Sequence, residues 1–261
     1  MLKQGVIRQS DSPWSAPAVL VPKKSLDGKP KFRFCVDYRA LYAVTKFNSY
    51  PLPAMDEAAS TLFGCKYFCV LECFSGFLQF SIREDHRERA AFTVPSGHYE
   101  FTRLSLSLAN SPSHFQRLMD TVLKNLVGTE CYIYLDFCVI FSSTAQEHAQ
   151  RLEHVLQPFD KANLQLQPGE CVIAQPKVKY LGFELSEKGV SPTVDNVEAI
   201  KGYHNPKKAK DVRAFLDLAS FYCRLVPNFT ETQRLTALTR KNQEFTWGPS
   251  QQEAFDNLKQ T

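Results

Sequence analysis

The fold of this chain is decided by the stretch Cys131-Tyr132-Ile133-Tyr134-Leu135-Asp136-Phe137-Cys138-Val139-Ile140-Phe141. Its pattern is typical of a buried β-strand or hairpin, yet one carboxylate, Asp136, lies in the middle of it. An earlier apolar run, Tyr67-Phe68-Cys69-Val70-Leu71-Glu72, also ends in a single acid. Burying an isolated carboxylate is costly unless it is paired or binds a metal. Two such acids on two strands indicate a metal-binding site, although Phe137 stands where that site would need a further acid.

The same two acids also have a simpler interpretation, in which neither has a chemical role. Asp136 can be an exposed acid in the turn of a hairpin, and Glu72 can be an exposed acid at the end of a strand. The residues alone leave both interpretations open.

The composition predicts a soluble globular protein of two or more subdomains, since 44% of its 261 residues are hydrophobic and 22% are charged. No run approaches the ~18 apolar residues of a transmembrane helix. The N-terminus lacks the apolar core of a signal peptide, so a cytoplasmic or nuclear location without membrane contact is the default expectation. The 8 cysteines include no CxxC pair, so we expect reduced, buried thiols rather than a metal-cysteine site.

Basic residues are unevenly distributed along the chain, although the net charge is only +4. The first 50 residues hold nine Lys or Arg against three Asp. A second cluster consists of Lys201, Lys207, Lys208, Lys210 and Arg213. Separated basic patches fit a phosphate-backbone partner, and solvated surface charge is the alternative.

Hydrophobic periodicity predicts an α+β protein with a βαββαβ-like core, strands before it and helices after it. Neither GxGxxG nor GxxxxGK[ST] occurs in the sequence, so dinucleotide and P-loop chemistry are not supported. Strands are predicted at 18–21, 31–36, 66–74, 77–83, 131–135 and 138–142, with a closing pair at 172–174 and 178–185 and a hairpin at 89–102. Helices are predicted at 37–43, 51–62 and 145–162, from about 110–113 onward, and over most of 193–261.

Taken together, the motifs resemble the reverse transcriptase of gypsy-type LTR retrotransposons, in order and over residues 4–260. The similar stretches are Ser12–Val21 (SPW-S-P-VLV), Phe32–Leu41 (RFCVDYR-LN), Leu71–Phe77 (LD-KSGY), Asn110–Arg117 (NAP-TFQR), Tyr134–Phe137 (Y-DD), Tyr180–Gly182 (FLG) and Val212–Phe229 (thumb).

The resemblance implies a right-hand polymerase with fingers, a ferredoxin-like palm and a helical thumb. It places the fingers at 1–60 and 83–103, the palm at 61–82 and 104–185, and the thumb at 186–245. Residues 246–261 would begin a connection toward an RNase H domain. No protease, RNase H or integrase region is expected, so the chain is interpreted as a fragment of a pol polyprotein or as a gene derived from one.

The family's chemistry, carried over by resemblance, uses two Mg²⁺ ions held by three aspartates about 3.5–4 Å from ion to ion. Glu72 and Asp136 stand at the first two positions and would be the catalytic and metal-binding residues. Glu72 is one methylene longer than aspartate, and a misplacement of about 1 Å can cost on the order of 100-fold in rate. Phe137 stands at the third position and offers no oxygen ligand. We therefore expect Mg²⁺ to bind weakly or not at all, with Mn²⁺ as the more tolerant alternative.

Further site residues are implied by the same resemblance. Those for the incoming dNTP are Lys24, Arg33, Phe77 and Gln116, and those for an RNA or DNA template with its DNA primer are Arg117, Lys207 and Lys208. Without the resemblance, Lys24 and Arg33 would be solvated charges on an edge strand, and Phe77 would be a core residue.

Four hypotheses on function follow from these residues. The first is an RNA-directed DNA polymerase by descent that is inactive or strongly impaired and at most binds primer–template. Ser105 and Ser107, which replace a Pro and a Gly of the family's LPFGL loop, also favour impairment. The others are a co-opted protein-interaction scaffold, a decayed element copy without function, and an active enzyme that works with two acids. The oligomeric state stays open.

Overall fold

The computed structural model describes residues 1–23, 30–53, 60–222, 232–240 and 245–260. The contacts divide the chain into two compact units, of which unit 1 comprises Met1–Ala54 and Lys66–Gln175, and unit 2 comprises Met55–Cys65 and Pro176–Thr261. Within the described residues, no helix is both long and apolar enough to cross a membrane.

Unit 1 contains nine of the named strands and three α-helices. The strands are β1 (Ile7–Gln9), β2 (Ala16–Lys23), β3 (Lys31–Val36), β4 (Tyr67–Glu72), β5 (Ala91–Val94), β6 (Gly97–Phe101), β7 (Cys131–Tyr134), β8 (Phe137–Ser142) and β9 (Val172–Gln175). The helices are α1 (Arg39–Tyr42), α2 (Ser111–Val122) and α3 (Ala145–Lys161), with 3₁₀ helices at Gly76–Gln79, Glu84–Ala90 and Pro168–Glu170.

The first sheet of unit 1 has the order β1-β6-β5-β2-β3. Its strands pair antiparallel except β2 and β5, which run parallel. The buried centre is aromatic, because Phe92 lies 5.4 Å from Phe34 and 5.2 Å from Phe101 between ring centroids. The β5–β6 hairpin confirms the hairpin that was predicted at 89–102.

The second sheet has the order β7-β8-β4-β9, and every neighbouring pair is antiparallel. Along the chain its elements follow the sequence β4-α2-β7-β8-α3-β9. This is the split βαβ arrangement of a ferredoxin-like unit, with the first and third strands in the centre. The predicted βαββαβ core is therefore present.

The two helices of this unit begin where the sequence provides helix starts. Pro112 lies in the first turn of α2, where its missing N–H costs no hydrogen bond. At α3, the Thr144 hydroxyl accepts a hydrogen bond from the Glu147 backbone N–H at 3.2 Å. The Glu147 carboxylate in turn accepts from the Ser143 N–H at 3.1 Å, so the first turn of α3 is capped from both directions.

The core of the second sheet contains cysteines on one face, covered by apolar side chains of α2 and α3. Its fully enclosed members include Cys69, Cys131 and Cys138 beside Phe115 and Met119. Cys131 and Cys138 pack here as small side chains in an apolar cluster, as the composition predicts, whereas the Cys69 thiol is also hydrogen-bonded to His148.

In its described residues, unit 2 combines a small antiparallel sheet with several helices. Its elements are β10 (Lys177–Tyr180), β11 (Phe183–Ser186), β12 (Gly189–Pro192), α4 (Val194–Lys201), α5 (Ala209–Ser220), α6 (Thr232–Ala237) and α7 (Pro249–Gln260). The sheet order is β10-β11-β12. Val212, Phe215, Leu235 and Phe255 form the centre of the helical core, which confirms the mostly helical character predicted after residue 193.

Two predicted strand assignments are wrong. Residues 77–83 do not form a strand, because the backbone turns at Ser75 (φ 46°) into the 3₁₀ helix Gly76–Gln79. The predicted pair of 172–174 with 178–185 does not form either. β9 pairs with β4, while 178–185 folds on itself as the β10–β11 hairpin through Leu181 and Gly182, both at positive φ. The predicted helix at 51–62 falls largely on 54–59, outside the described residues.

A buried polar network joins α3 to the second sheet. The Ser142 hydroxyl donates its proton to the Thr144 carbonyl at 3.1 Å. Its oxygen can therefore only accept the hydrogen bond from His148 Nδ1, at 3.0 Å. His148 Nε2 then accepts the thiol proton of Cys69 at 2.9 Å. The His148 ring is only 3% exposed, and burial, assisted by the charge of Arg151 and opposed by that of Glu147, lowers its pKa. The neutral imidazole is therefore part of the folded structure.

We expect this histidine to make unit 1 less stable in acid. Its folded pKa lies below the unfolded value of about 6.5, so the stabilisation is complete above that value and is lost as the pH falls through the folded pKa. The free energy of unfolding in urea should therefore decrease between about pH 7 and pH 5. His148→Gln should flatten this dependence, whereas His86→Gln, at an exposed ring, should not. If the free energy of unfolding depended equally on pH in the two variants, His148 would not be the residue responsible for the loss of stability in acid.

Candidate active site

Asp136 lies in the two-residue turn that joins β7 to β8. Tyr134 pairs with Phe137 across the base of this hairpin, which leaves Leu135 and Asp136 as its loop. Leu135 has a φ of 54°, a conformation that hairpin loops require but that usually calls for glycine or asparagine. A leucine there costs of order 1–3 kcal/mol unless its surroundings hold it in place.

Gln116 of α2 supplies that support. Its Oε1 accepts a hydrogen bond from the Leu135 N–H at 2.8 Å, and its Nε2 donates to the Ile133 carbonyl at 3.1 Å. β7 is an edge strand, so the outward carbonyl of Ile133 has no neighbouring strand to pair with. The fully buried amide thus fixes both sides of the turn before Asp136.

The support extends outward from Gln116 to a tyrosine on the segment after α1. Gln116 Nε2 also donates to Asp120 Oδ1 at 2.9 Å, and the Tyr50 hydroxyl donates to Asp120 Oδ2 at 2.5 Å. The guanidinium of Arg117 lies 4.9 Å from the centre of the Tyr50 ring. A continuous hydrogen-bonded chain therefore connects Tyr50 with the hairpin.

Gly76 allows the turn to approach the end of β4. A Cβ at this glycine would lie 3.0 Å from Phe115 Cζ and 3.1 Å from Asp136 Cβ, so these neighbours would have to shift by a few tenths of an ångström. The Cys73 N–H donates to the Asp136 carbonyl at 3.0 Å. Asp136 is thus packed against the segment that follows Glu72, and only glycine fits at position 76 without displacing it.

Glu72 and Phe137 are direct partners across β4 and β8. Directly paired residues project on the same face with Cβ atoms about 4.5–5.5 Å apart, so the end of β4 and the turn bring Glu72, Asp136 and Phe137 together. Burial raises the pKa of the Asp136 carboxyl. Burial, then the charges of Asp136 and Glu170, raise the pKa of Glu72. Within the described part of the chain, no basic side chain is paired with either acid.

The potential metal ligands at this place are the carboxylates of Glu72 and Asp136. Burial and the nearby Asp136 charge raise the pKa of the Cys73 thiol to about 12, so it is protonated at neutral pH and is not a thiolate ligand. Among the described residues, no three His, Cys, Asp or Glu side chains are grouped closely enough to hold one metal ion. Glu72 and Asp136 are thus the carboxylates available at this place, and the Phe137 ring adds no oxygen ligand beside them.

Of the predicted nucleotide-binding residues that the structure describes, Phe77 and Gln116 lie beside the turn and Arg33 lies on the other sheet. Phe77 is 8% exposed and its ring packs 4.7 Å from that of Phe115, so it lies in the core next to the turn. Gln116 faces the protein interior, as described above. Arg33 is exposed on β3 of the other sheet, and Lys24 lies outside the described residues.

The predicted nucleic-acid contacts are all exposed. Arg117 lies on the outer side of α2 in unit 1. Lys207 and Lys208 belong to unit 2, where they directly precede α5. The Lys207 N–H donates to the Asp211 carboxylate at 3.0 Å, which fixes the backbone of this basic segment.

Sequence reasoning missed the supporting residues of the site. Gln116 was interpreted as a ligand contact, and the structure shows it bound to the hairpin backbone. One signal was available, because Gln116 and Asp120 are one helical turn apart beside the buried residues Phe115 and Met119. A polar pair that close to the core needs internal partners. Tyr50 gives no such signal, since its partner lies 70 residues away.

The sequence is similar to known families and proteins. A sequence profile described as "Reverse transcriptase (RNA-dependent DNA polymerase)" matches residues 21–185. The Pol polyprotein of transposon 297 from Drosophila melanogaster is 37% identical over 99% of this chain and 25% of its own length. That of transposon gypsy, from the same organism, is 36% identical over 90% of this chain and 23% of its own length. The chain thus spans about a quarter of these relatives.

Solved structures with a similar fold come from foamy virus. The protease-reverse transcriptase described as "dRH in complex with ds DNA" superposes with a TM-score of 0.87 at 25% identity, covering 99% of this chain and 45% of the other. The same viral protein with an RNA/DNA hybrid gives a TM-score of 0.82 at 24% identity, covering 99% and 35%. The α+β polymerase fold follows from these superpositions.

Replacing Gln116 should destabilise the hairpin. Gln116→Leu keeps the volume but leaves the Leu135 N–H and the Ile133 carbonyl without partners, at about 1–3 kcal/mol for each buried group. The free energy of unfolding measured with urea should fall accordingly. Gln157→Leu, at an exposed site on α3, is the matched control and should stay within about 0.5 kcal/mol. If both variants have the same free energy of unfolding, the hydrogen bonds of Gln116 do not stabilise the turn.

Proposed function

Because the chain belongs to the reverse transcriptase (RNA-dependent DNA polymerase) family, with LTR retrotransposon Pol polyproteins among its relatives, we propose that it binds a primer–template duplex and extends the primer poorly or not at all. The substrates would be an RNA or DNA template, a DNA primer and dNTPs. A failure to extend the primer would then result from weak metal binding and not from a defect in the fold.

The single observation that carries this proposal is the pairing of Glu72 with Phe137 beside Asp136. This end of the sheet supplies two carboxylates where two divalent ions would need bridging oxygens from both strands. Mg²⁺ demands near-octahedral oxygen ligands, and the Phe137 ring occupies the third position without offering one. Any Mn²⁺ ion that binds would be held by the same two acids, Asp136 and Glu72.

Nucleic-acid binding is supported independently of the metal site. Arg117 in unit 1 and Lys207 and Lys208 in unit 2 are exposed and available to phosphates. The foamy virus proteins of similar fold are described in complex with double-stranded DNA and with an RNA/DNA hybrid. Arg33 and Lys24 would contact the dNTP phosphates, and the Phe77 ring would lie next to its sugar.

A second candidate function, a protein-interaction scaffold, is favoured by one surface. The β2–β3 hairpin exposes large apolar side chains, namely Val19, Leu20, Val21 and Phe32, and Leu20 alone is 62% exposed. An apolar patch of this kind marks an interaction site more often than chance. This function would not depend on basic residues or on salt.

Primer extension on an RNA template with a DNA primer tests the proposed defect. We expect the natural chain to be at least about 100-fold slower than the double variant Glu72→Asp with Phe137→Asp, since carboxylate placement within about 1 Å sets the rate. A second double variant, Glu72→Asp with Phe137→Asn, is the matched control, because it has a similar shape but no third charge. All three are assayed in Mg²⁺ and in Mn²⁺.

Each outcome of this assay has a defined meaning. Rapid extension by the natural chain would show that Phe137 does not disable the site and that the protein is a working polymerase. Failure of the Phe137→Asp variant while duplex binding is retained would place the defect elsewhere, at Ser105 and Ser107 of the loop before α2. Activity of the Asn control equal to that of the Asp variant would contradict the role of the third carboxylate.

Duplex binding should depend steeply on salt. Each neutralised phosphate contributes a slope of roughly −0.9 in log affinity against log salt concentration. Lys207→Ala should reduce the magnitude of the slope by about 1, and Lys188→Ala, at another exposed lysine of unit 2, should not. A slope near zero in fluorescence anisotropy titrations would favour the protein-scaffold function instead.

A further inference from the structure

The side-chain amide of Gln116 can hold the turn before Asp136 in one orientation only. Its Oε1 must face the Leu135 N–H, and its Nε2 must face the Ile133 carbonyl. If the amide rotated by half a turn, two donors would face each other at Leu135 and two acceptors would face each other at Ile133. The position of the turn therefore depends on the groups that keep the amide in its present orientation.

Asp120, one helical turn further along α2, is such a group. An ionised carboxylate can only accept hydrogen bonds, and Asp120 Oδ1 accepts from Gln116 Nε2 at 2.9 Å. The nitrogen of the amide must therefore lie on the side of Asp120, which directs Oε1 toward Leu135. Because Asp120 and Gln116 belong to the same helix, this effect does not depend on the conformation of the turn.

The carboxylate of Asp120 is itself held by Tyr50. The Tyr50 hydroxyl donates to Asp120 Oδ2 at 2.5 Å, so each carboxylate oxygen has its own donor. Hydrogen bonds to an ionised acceptor are about twice as strong as those between neutral groups. The guanidinium of Arg117 lies 4.9 Å from the centre of the Tyr50 ring and attracts the face of that ring. The ring and its hydroxyl thus fix the rotation of the carboxylate.

The backbone that carries Tyr50 is attached to the start of α2. Asn110 Oδ1 accepts from the Asn48 N–H, and Asn110 Nδ2 donates to the Lys46 carbonyl, both at 2.9 Å. The Ser113 hydroxyl donates to the Asn48 carbonyl at 3.2 Å. The Tyr50 N–H donates to Asn48 Oδ1 at 3.1 Å. Hydrogen bonds with α2 therefore place this segment directly before the tyrosine ring.

We propose that Tyr50 and Asp120 are positioning residues for the Asp136 carboxylate. They act through the amide of Gln116, which holds the turn. Such support is needed because Leu135 has a φ of 54°, a conformation that persists only where the surroundings over-determine it. Loss of the Tyr50 hydroxyl frees the Asp120 carboxylate and then the amide, so the turn relaxes and Asp136 moves. The effect on primer extension rests on the proposed function, whereas the effect on the turn does not.

Amide hydrogen exchange, measured by NMR on the natural chain, tests this role without an activity assay. Tyr50→Phe keeps the ring and removes the hydroxyl, so exchange of the Leu135 N–H should become about tenfold faster while the amides of β4 keep their rates. Tyr99→Phe is the matched control, because it removes a hydroxyl that donates to the Ser96 carbonyl at 3.2 Å in the first sheet. It should leave Leu135 unchanged. Unchanged exchange at Leu135 in Tyr50→Phe, or equal acceleration along β4, would overturn the positioning role.

Two variants of Asp120 test the acceptor that orients the amide. Asp120→Asn keeps an acceptor for Gln116 Nε2 and offers a donor to the Tyr50 oxygen, so Leu135 should exchange at its natural rate. Asp120→Leu offers no acceptor, so exchange at Leu135 should accelerate at least as much as in Tyr50→Phe. Equal rates in the two Asp120 variants would overturn the proposal. If Asp120→Leu fails to fold, the comparison of Tyr50→Phe with Tyr99→Phe decides alone.

Primer extension by the repaired double variant, Glu72→Asp with Phe137→Asp, adds a catalytic measurement. Introducing Tyr50→Phe there should lower kcat about tenfold or more, because a displaced carboxylate slows the reaction, and should leave the Kd for the duplex unchanged. A changed Kd with an unchanged kcat would overturn the positioning role. A repaired variant that does not extend the primer at all would contradict the proposed metal defect, and hydrogen exchange at Leu135 would still decide the role of Tyr50.

Discussion

The antiparallel pairing of β4 with β8 is the interaction on which the rest of the molecule depends. Its register places Phe68 opposite Phe141 and Leu71 opposite Cys138, so buried side chains meet along its length. A slip of one residue would turn every one of these side chains to the other face. The register that the core enforces is the same one that brings Glu72 opposite Phe137 and next to the turn. Packing thus decides which side chains meet at the candidate site.

The support of the turn is independent of the acids that it presents. Gln116 holds the hairpin through backbone groups of Ile133 and Leu135, and Gly76 leaves room for the Cβ of residue 136, whatever its side chain. Pairing at position 137 likewise uses the main chain. A phenylalanine at that position therefore leaves the polymerase fold in place. The proposed loss of a metal ligand at position 137 is compatible with the fold, because backbone atoms form the strand pairing there.

The parts of the fold that the sequence predicts are those set by local periodicity. The helices α2 and α3 and the β7–β8 hairpin follow from apolar spacing and helix starts, and the βαββαβ core follows from their order. The segment 77–83 resembles a strand in composition, but the positive φ of Ser75 redirects the chain there. Likewise, no local signal shows that Val172 pairs with Val70, about a hundred residues away. Predictions fail where a tertiary contact, and not the neighbouring residues, selects the conformation.

The same division between local and distant effects applies to the charges. Asp136 and Glu72 are recognisable from the sequence as acids that end apolar runs, but the cost of having them together appears only in the structure. Burial raises the pKa of both carboxyls, the charge of Asp136 further raises the pKa of Glu72, and no described basic side chain is paired with either. A third acid at position 137 would add to this repulsion and would need bound cations to offset it. Phe137 adds no charge to this repulsion, so this end of the sheet needs no bound cation to offset a third acid. The exposed lysines before α5 involve none of these residues, so the proposed nucleic-acid binding does not depend on the metal site.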